Sequence, residues 1–328
     1  MNNSFLYMII PIIKNTALNY WLDGTRHYEP LVFHAVNLKR VEPVYLNINA
    51  IEEIKKTLCV DEDLDVLTGP NATRRPLAGL TLYQGYNSIP PGSFVKIAEM
   101  GNDILCMASP EMCFLYAASV LPLHEVVYVG NQLCAQYVTD SDSDIGQRNR
   151  DPITNVNKMK RFLKNADGLK GIKKARTAIK YVVDGCNSPK EVFLAAIARL
   201  PRHYGGYGLP EFVMNGAVKL TKDGSSLVGY DVLRADMVWY KQRKLVEYES
   251  NLVHLDKDQH EHDKKRSNAI QKAGYGVTYI TAGQVSGFGP VEDTFTSLQK
   301  ELGVRFDRAK FAEQQEKRRK VVKDLLRR

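Results

Sequence analysis

Asp236, Glu247 and Glu249 are the residues whose types and spacing point most directly to chemistry. They lie in RADMVWYKQRKLVEYES, residues 234–250. Tyr, Trp and Val fit a pleated, half-buried surface. The stretch reads as a β-hairpin, with one strand from Val232 to Tyr240, a polar turn from Lys241 to Lys244, and a second strand from Leu245 to Glu249. A symmetric turn sets Tyr240 opposite Leu245; counting outward, Val238 faces Glu247 and Asp236 faces Glu249. Side chains two apart share a face, so the three carboxylates are expected to converge. Opposed like charges repel, their Cβ atoms lying only about 5 Å apart. This pattern aims no basic residue at them, and a cation would offset the repulsion. Donors that are all oxygen suit a hard divalent ion, Mg²⁺ or Mn²⁺. The plainer alternative is a polar outer face on an antiparallel hairpin.

The elements that must position this hairpin are legible around it. SPKEVFLAAIARL has a strong helix start: Ser188 is the N-cap, Pro189 the first helical residue, and Glu191 closes a capping box. PRHYGGYGLPEF, residues 201–212, is a Gly- and Pro-rich loop without the Lys-Ser/Thr pair of a phosphate-binding loop. VMNGAVKL reads as a strand, followed by a turn at Lys222 to Ser225. Asp256 to Ala273 reads as a helix ended by a left-handed Gly274. YGVTYIT is a further strand, DTFTSLQKELG a short helix, and the tail DRAKFAEQQEKRRKVVKDLLRR a basic helix.

The first 140 residues alternate short apolar runs with loops. LVFHAV, VYLNI, LTLYQGY, SFVKIAEM, DILCMA and VVYVG are strand-like, and SPEMCFLYAASVL is helical in period. The apolar run FLYMIIPII carries a proline and is too short to span a bilayer, so it reads as a buried strand. The expectation is a cytoplasmic protein with no membrane segment. The five cysteines, Cys59, Cys106, Cys113, Cys134 and Cys186, lack metal-ligand spacing and read as reduced. The chain has 328 residues and a net charge of +8, which favours an anionic partner. KMKRFLKNADGLKGIKKARTAIKYVV concentrates that charge on two basic amphipathic helices. Lys170, Lys173, Lys174 and Arg176 are its candidate nucleic-acid contacts, a solvated outer face being the alternative.

From residue 186 onward the order is helix, strand, acidic hairpin, helix, strand, helix. In that order the residues resemble the PD-(D/E)XK nuclease superfamily, and most closely its branch related to very-short-patch-repair endonucleases. The resemblance is carried by Asp236, the VEYES segment with Glu247 and Glu249, His254, Asp263 with Arg266, and Gly274 ahead of YGVTYIT. The SPKE helix start and the GGYGLP loop add to it, and it covers about residues 165–285. Glu249 stands where the branch has an aspartate and Ser250 where it has a glycine. The region before it bears a weaker resemblance to antitoxin-like modules of abortive-infection systems.

The resemblance implies an α/β protein whose C-terminal part is a restriction-endonuclease-like mixed sheet flanked by helices. An N-terminal domain, α/β or α+β, spans 1–140, a polar linker with the basic helices 141–185, the nuclease-like domain 186–305 and a basic helix 306–328. Asp236 and Glu247 are then metal ligands. Glu249 orients the attacking water or binds a second ion, and Glu191 completes the metal site. His254 acts as general acid/base or holds the leaving group, while Asp263 and Arg266 have a structural or phosphate-orienting role. The expected activity is metal-dependent hydrolysis of phosphodiester bonds in DNA, in defence or repair, with room for a protein partner on the N-terminal domain. The alternative is a nuclease-fold regulator, antitoxin-like, that binds DNA or protein without turnover.

Overall fold

Short runs of Ile, Val and Leu build the sheets of this chain, and amphipathic runs build the helices beside them. A computed structural model describes residues 7–24, 34–38, 40–70, 72, 77–85, 89–141, 143–249, 257–304 and 311–328; for 257–263 and 311 it describes the backbone alone. The fold class is α/β, and the chain divides into two units, Met1–Lys180 and Tyr181–Arg328. Among the described residues no helix is long and apolar enough to cross a membrane.

The first unit runs β1 (Ile9–Ile12), α1 (Lys14–Leu22), β2 (Ala35–Val36), α2 (Ile48–Leu58), β3 (Leu64–Thr68), β4 (Leu80–Gln84), β5 (Phe94–Met100), β6 (Asp103–Ala108), α3 (Pro110–Val120), α4 (Leu123–Leu133), β7 (Tyr137–Thr139), β8 (Gln147–Asn149), α5 (Val156–Lys164) and α6 (Ile172–Ala178). Six strands form a mixed sheet in the order β2-β5-β6-β1-β3-β4. Trp21, fully buried, donates its indole N–H to the Ala108 carbonyl at 2.7 Å and ties α1 to the end of β6.

Two runs expected as strands differ in the structure. VVYVG lies inside α4, where Val126 to Gly130 are all buried, and a fully buried helix leaves no polar face to betray its period. VYLNI stays irregular up to Asn47, whose side chain accepts from Ala50 N–H and starts α2. The basic helices α5 and α6 belong to the first unit rather than to a linker. Their apolar faces, including Met159, Phe162, Ile172 and Ala175, are buried, and both helices pack against α3.

The second unit runs α7 (Pro189–Arg199), β9 (Val213–Lys219), α8 (Lys222–Val228), β10 (Val232–Trp239), β11 (Lys244–Glu249), α9 (Lys257–Lys272), β12 (Gly276–Thr281), α10 (Phe288–Glu301) and α11 (Phe311–Leu325). The expected turn at Lys222–Ser225 is the start of α8, capped by Thr221. The sheet order is β12-β11-β10-β9. β9, β10 and β11 form an antiparallel meander, and α9 carries the chain over to β12, which pairs parallel to β11. A parallel pair needs such a crossover. Ala269 and Ile270 of α9, with Ala273 just past its end, pack on Val218, Leu233, Ala235, Val238 and Leu245 of the sheet.

The GGYG loop serves packing. Gly205 sits at φ +87°, and a Cβ there would lie 2.8 Å from the Lys317 carbonyl, so its absence lets α11 close on the loop. Beneath it the Arg318 guanidinium donates to both Glu292 oxygens at 2.8 and 2.7 Å, and the Tyr207 hydroxyl donates to Glu292 at 2.9 Å. Both charged side chains are under 10% exposed, at 3% and 9%. Removing one partner strands a buried charge. Arg318→Ala is therefore expected to lower stability by about 3–5 kcal/mol, read as the urea midpoint; the paired Arg318→Met, Glu292→Met variant is expected to lose less than either single truncation. Equal losses would show that the pair is not what holds α11.

Candidate active site

The hairpin closes one residue earlier than a symmetric reading places it. Met237 pairs with Val246, Val238 with Leu245 and Trp239 with Lys244. Arg243, at φ 49°, supplies the left-handed residue that completes the turn, and its side chain donates to the Gly274 carbonyl at 2.9 Å. This register sets Asp236 across from Glu247, not from Glu249 as expected. Tyr248 N–H donates to Asp236 Oδ2 at 2.6 Å. Asp236 thus sits where β10 and β11 part, tied to the neighbouring strand.

A basic residue is aimed at them, contrary to the hairpin pattern taken alone. Arg266 Nη2 donates to Glu247 Oε1 at 2.6 Å and to the Arg234 carbonyl at 2.7 Å. Arg266 precedes Ala269, Ile270 and Ala273 by three, four and seven residues, so it rides the stripe of α9 that packs on the sheet. The crossover therefore delivers it to the acids, a placement that hairpin counting does not contain.

Glu191 joins the group from α7. Its Oε2 accepts from Asn187 N–H at 2.9 Å and from Asn215 Nδ2 at 2.6 Å, and its Oε1 accepts from the Ser188 hydroxyl at 3.1 Å. The residue is 7% exposed. Burial, helped by repulsion from Asp236, pushes its carboxyl up to about 7 against those three hydrogen bonds. Asp236 is raised by burial, with the Tyr248 N–H bond and Arg266 acting the other way. Glu247 is raised by burial and opposed by Arg266, while Asp236 adds to the rise. Asp236 thus lies close enough to Glu191 and to Glu247 to act on both, in a site that disfavours their charge.

Glu249, the last residue of β11, is half-buried, and its Cα pairs with Thr281. Among the described residues no three of Glu191, Asp236, Glu247 and Glu249 have oxygens all within 4.8 Å of one another. The donors nevertheless fit a hard cation. Mg²⁺ takes one or two carboxylates and fills its shell with waters and substrate oxygens, and Asp236 with Glu247 supplies such a pair. His254 and Ser250 lie outside the described residues, and of Asp263 only its backbone place on α9 is described.

The candidate nucleic-acid contacts lie in the first unit. Lys170 and Lys173 are exposed. Lys174 donates to the Leu121 carbonyl at 2.6 Å; Arg176 donates to the Leu163 carbonyl at 2.7 Å and pairs with Asp167 at 2.8 Å. Two of the four cations thus also hold their helices in place. Sequence reasoning missed Asn215; its signal was the Asn-Gly dipeptide inside a strand pattern, which marks an unusual backbone. No family model, curated protein or solved structure matches this chain.

The raised Glu191 carboxyl links stability to pH. Between its ordinary 4.5 and about 7 the folded chain holds a proton that the unfolded chain releases. Its stabilisation is complete below 4.5 and is lost as pH rises through about 7, a swing of at most about 3 kcal/mol. Without divalent ions, urea unfolding is expected to show lower stability at pH 8 than at pH 5, and Glu191→Gln is expected to flatten that slope. A slope equal to wild type in this variant would assign the pH dependence elsewhere.

Proposed function

We propose that the second unit is a divalent-metal-dependent endonuclease of restriction-endonuclease-like type that hydrolyses DNA. The observation that carries this reading is the delivery of Glu191, Asp236 and Glu247 from α7, β10 and β11 to one partly buried cluster. Buried acids held against their own repulsion await a positive charge. A bound Mg²⁺ or Mn²⁺ supplies polarisation of the phosphoryl oxygen and a water of lowered pKa. Asp236 and Glu247 would hold it, with Glu191, fixed by three donors, beside them. Arg266 offers planar donors that pair with a phosphate as readily as with a carboxylate. The net charge of +8 and the exposed Lys170 and Lys173 favour a polyanionic partner.

The second reading, a nuclease-fold regulator that binds DNA or protein without turnover, draws on the same ion pair. Arg266 at 2.6 Å from Glu247 already neutralises one ligand, and Glu249 stands where the branch it resembles has an aspartate. Incubation of supercoiled and single-stranded DNA with Mg²⁺ or Mn²⁺ separates the two. The endonuclease reading expects metal-dependent nicking that Asp236→Asn and Glu247→Gln each reduce by more than about 100-fold, beyond the loss typical of an outer-shell partner. Salt-sensitive binding without any product, in wild type and variants alike, would favour the regulator.

A further inference from the structure

The edge strand β9 breaks its pleat at one residue. Asn215 has φ 49°, a left-handed backbone that side chains rarely adopt within a strand. The ladder to β10 pairs Ala235 with Gly216 and Met237 with Met214, and skips the position between them, Asn215 across from Asp236. The Asn215 side-chain Nδ2 donates to Glu191 Oε2 at 2.6 Å and to the Gly185 carbonyl at 2.9 Å. The Asn215 carbonyl accepts from Arg234 Nη1 at 3.0 Å. Gly216 completes the break, since a Cβ there would lie 2.8 Å from Val238 Cγ2 and 2.9 Å from the Tyr240 hydroxyl.

We propose that Asn215 is a positioning residue of the acid cluster: its left-handed backbone directs the side-chain carboxamide to hold the Glu191 carboxylate beside Asp236. The inference rests on the metal-site reading above and deepens it. Directly opposed residues of paired strands share a face, so Asn215, across from Asp236, lies on the same side of the sheet as that acid. Asparagine tolerates the left-handed region, and its amide is the donor that an acceptor-only carboxylate needs. Sparsely populated backbone conformations persist where the surroundings over-determine them, and they concentrate at functional sites. Here the surroundings are Gly185, Glu191 and Arg234, three partners on three segments.

The test is Asn215→Gly, which keeps the left-handed backbone without a side chain, assayed by calorimetric titration with Mn²⁺ and by thermal unfolding. Loss of an outer-shell partner weakens metal binding by about 10–100-fold, so the Mn²⁺ Kd is expected to rise by that factor while Tm holds or increases. In a double-variant cycle with Glu191→Gln the two losses are expected to be non-additive, because Asn215 acts through Glu191. An unchanged Kd overturns the inference. A Kd rise accompanied by a matching fall in Tm, or strict additivity in the cycle, also overturns it, since the role is then structural. Wild-type protein that binds no Mn²⁺ overturns the metal-site reading together with this inference, whereas Mn²⁺ bound equally by wild type and Asn215→Gly overturns this inference alone.

Discussion

Three carboxylates held in a partly buried cluster with the Arg266 guanidinium beside them form the constraint on which the second unit depends. In water Glu191, Asp236 and Glu247 would separate; here burial raises all three, and mutual repulsion adds to the rise at Glu191 and Glu247. Arg266 offsets part of that cost at Glu247. Its guanidinium also bonds the Arg234 carbonyl, so the same side chain ties α9 to β10. Folding alone has no need of such a cluster: apolar residues of similar volume are often neutral or stabilising where buried charges stand. That imbalance is what the proposed function draws on.

The elements around the cluster each solve one part of the placement. The helix start at Ser188 fixes Glu191 on the first turn of α7, where Ser188 and Asn187 both bond its carboxylate. The parting of β10 and β11 beyond Met237 opens room for Asp236 to bond Tyr248 in place of a ladder carbonyl. The α9 crossover, pressed on the sheet through Ala269, Ile270 and Ala273, brings Arg266 into range. The buried Arg318–Glu292 pair and the glycine loop fasten α11 to the same unit.

Much of this frame was legible in the residues. Ser188-Pro189 announced α7, the Tyr-Trp-Val alternation announced β10, and Gly274 marked the end of α9. The pairing register was not legible, because it turns on whether Arg243 or Lys244 takes the left-handed turn position, and neither residue type decides that. The Arg266–Glu247 pair was not legible either: nineteen positions separate the two, and only the crossover geometry brings them together. VVYVG misled for a different reason, since a helix buried on every side has the composition of a buried strand. Asn215 carried a visible sign, its glycine neighbour, but the donor role depends on Glu191 arriving from another element.

The most direct measurement is an anomalous difference map from crystals grown with Mn²⁺. The account predicts a peak within coordination distance of carboxylate oxygens of both Asp236 and Glu247, with the Arg266 guanidinium drawn away from Glu247. A map without density there, with the Arg266–Glu247 pair still closed at 2.6 Å, would contradict it.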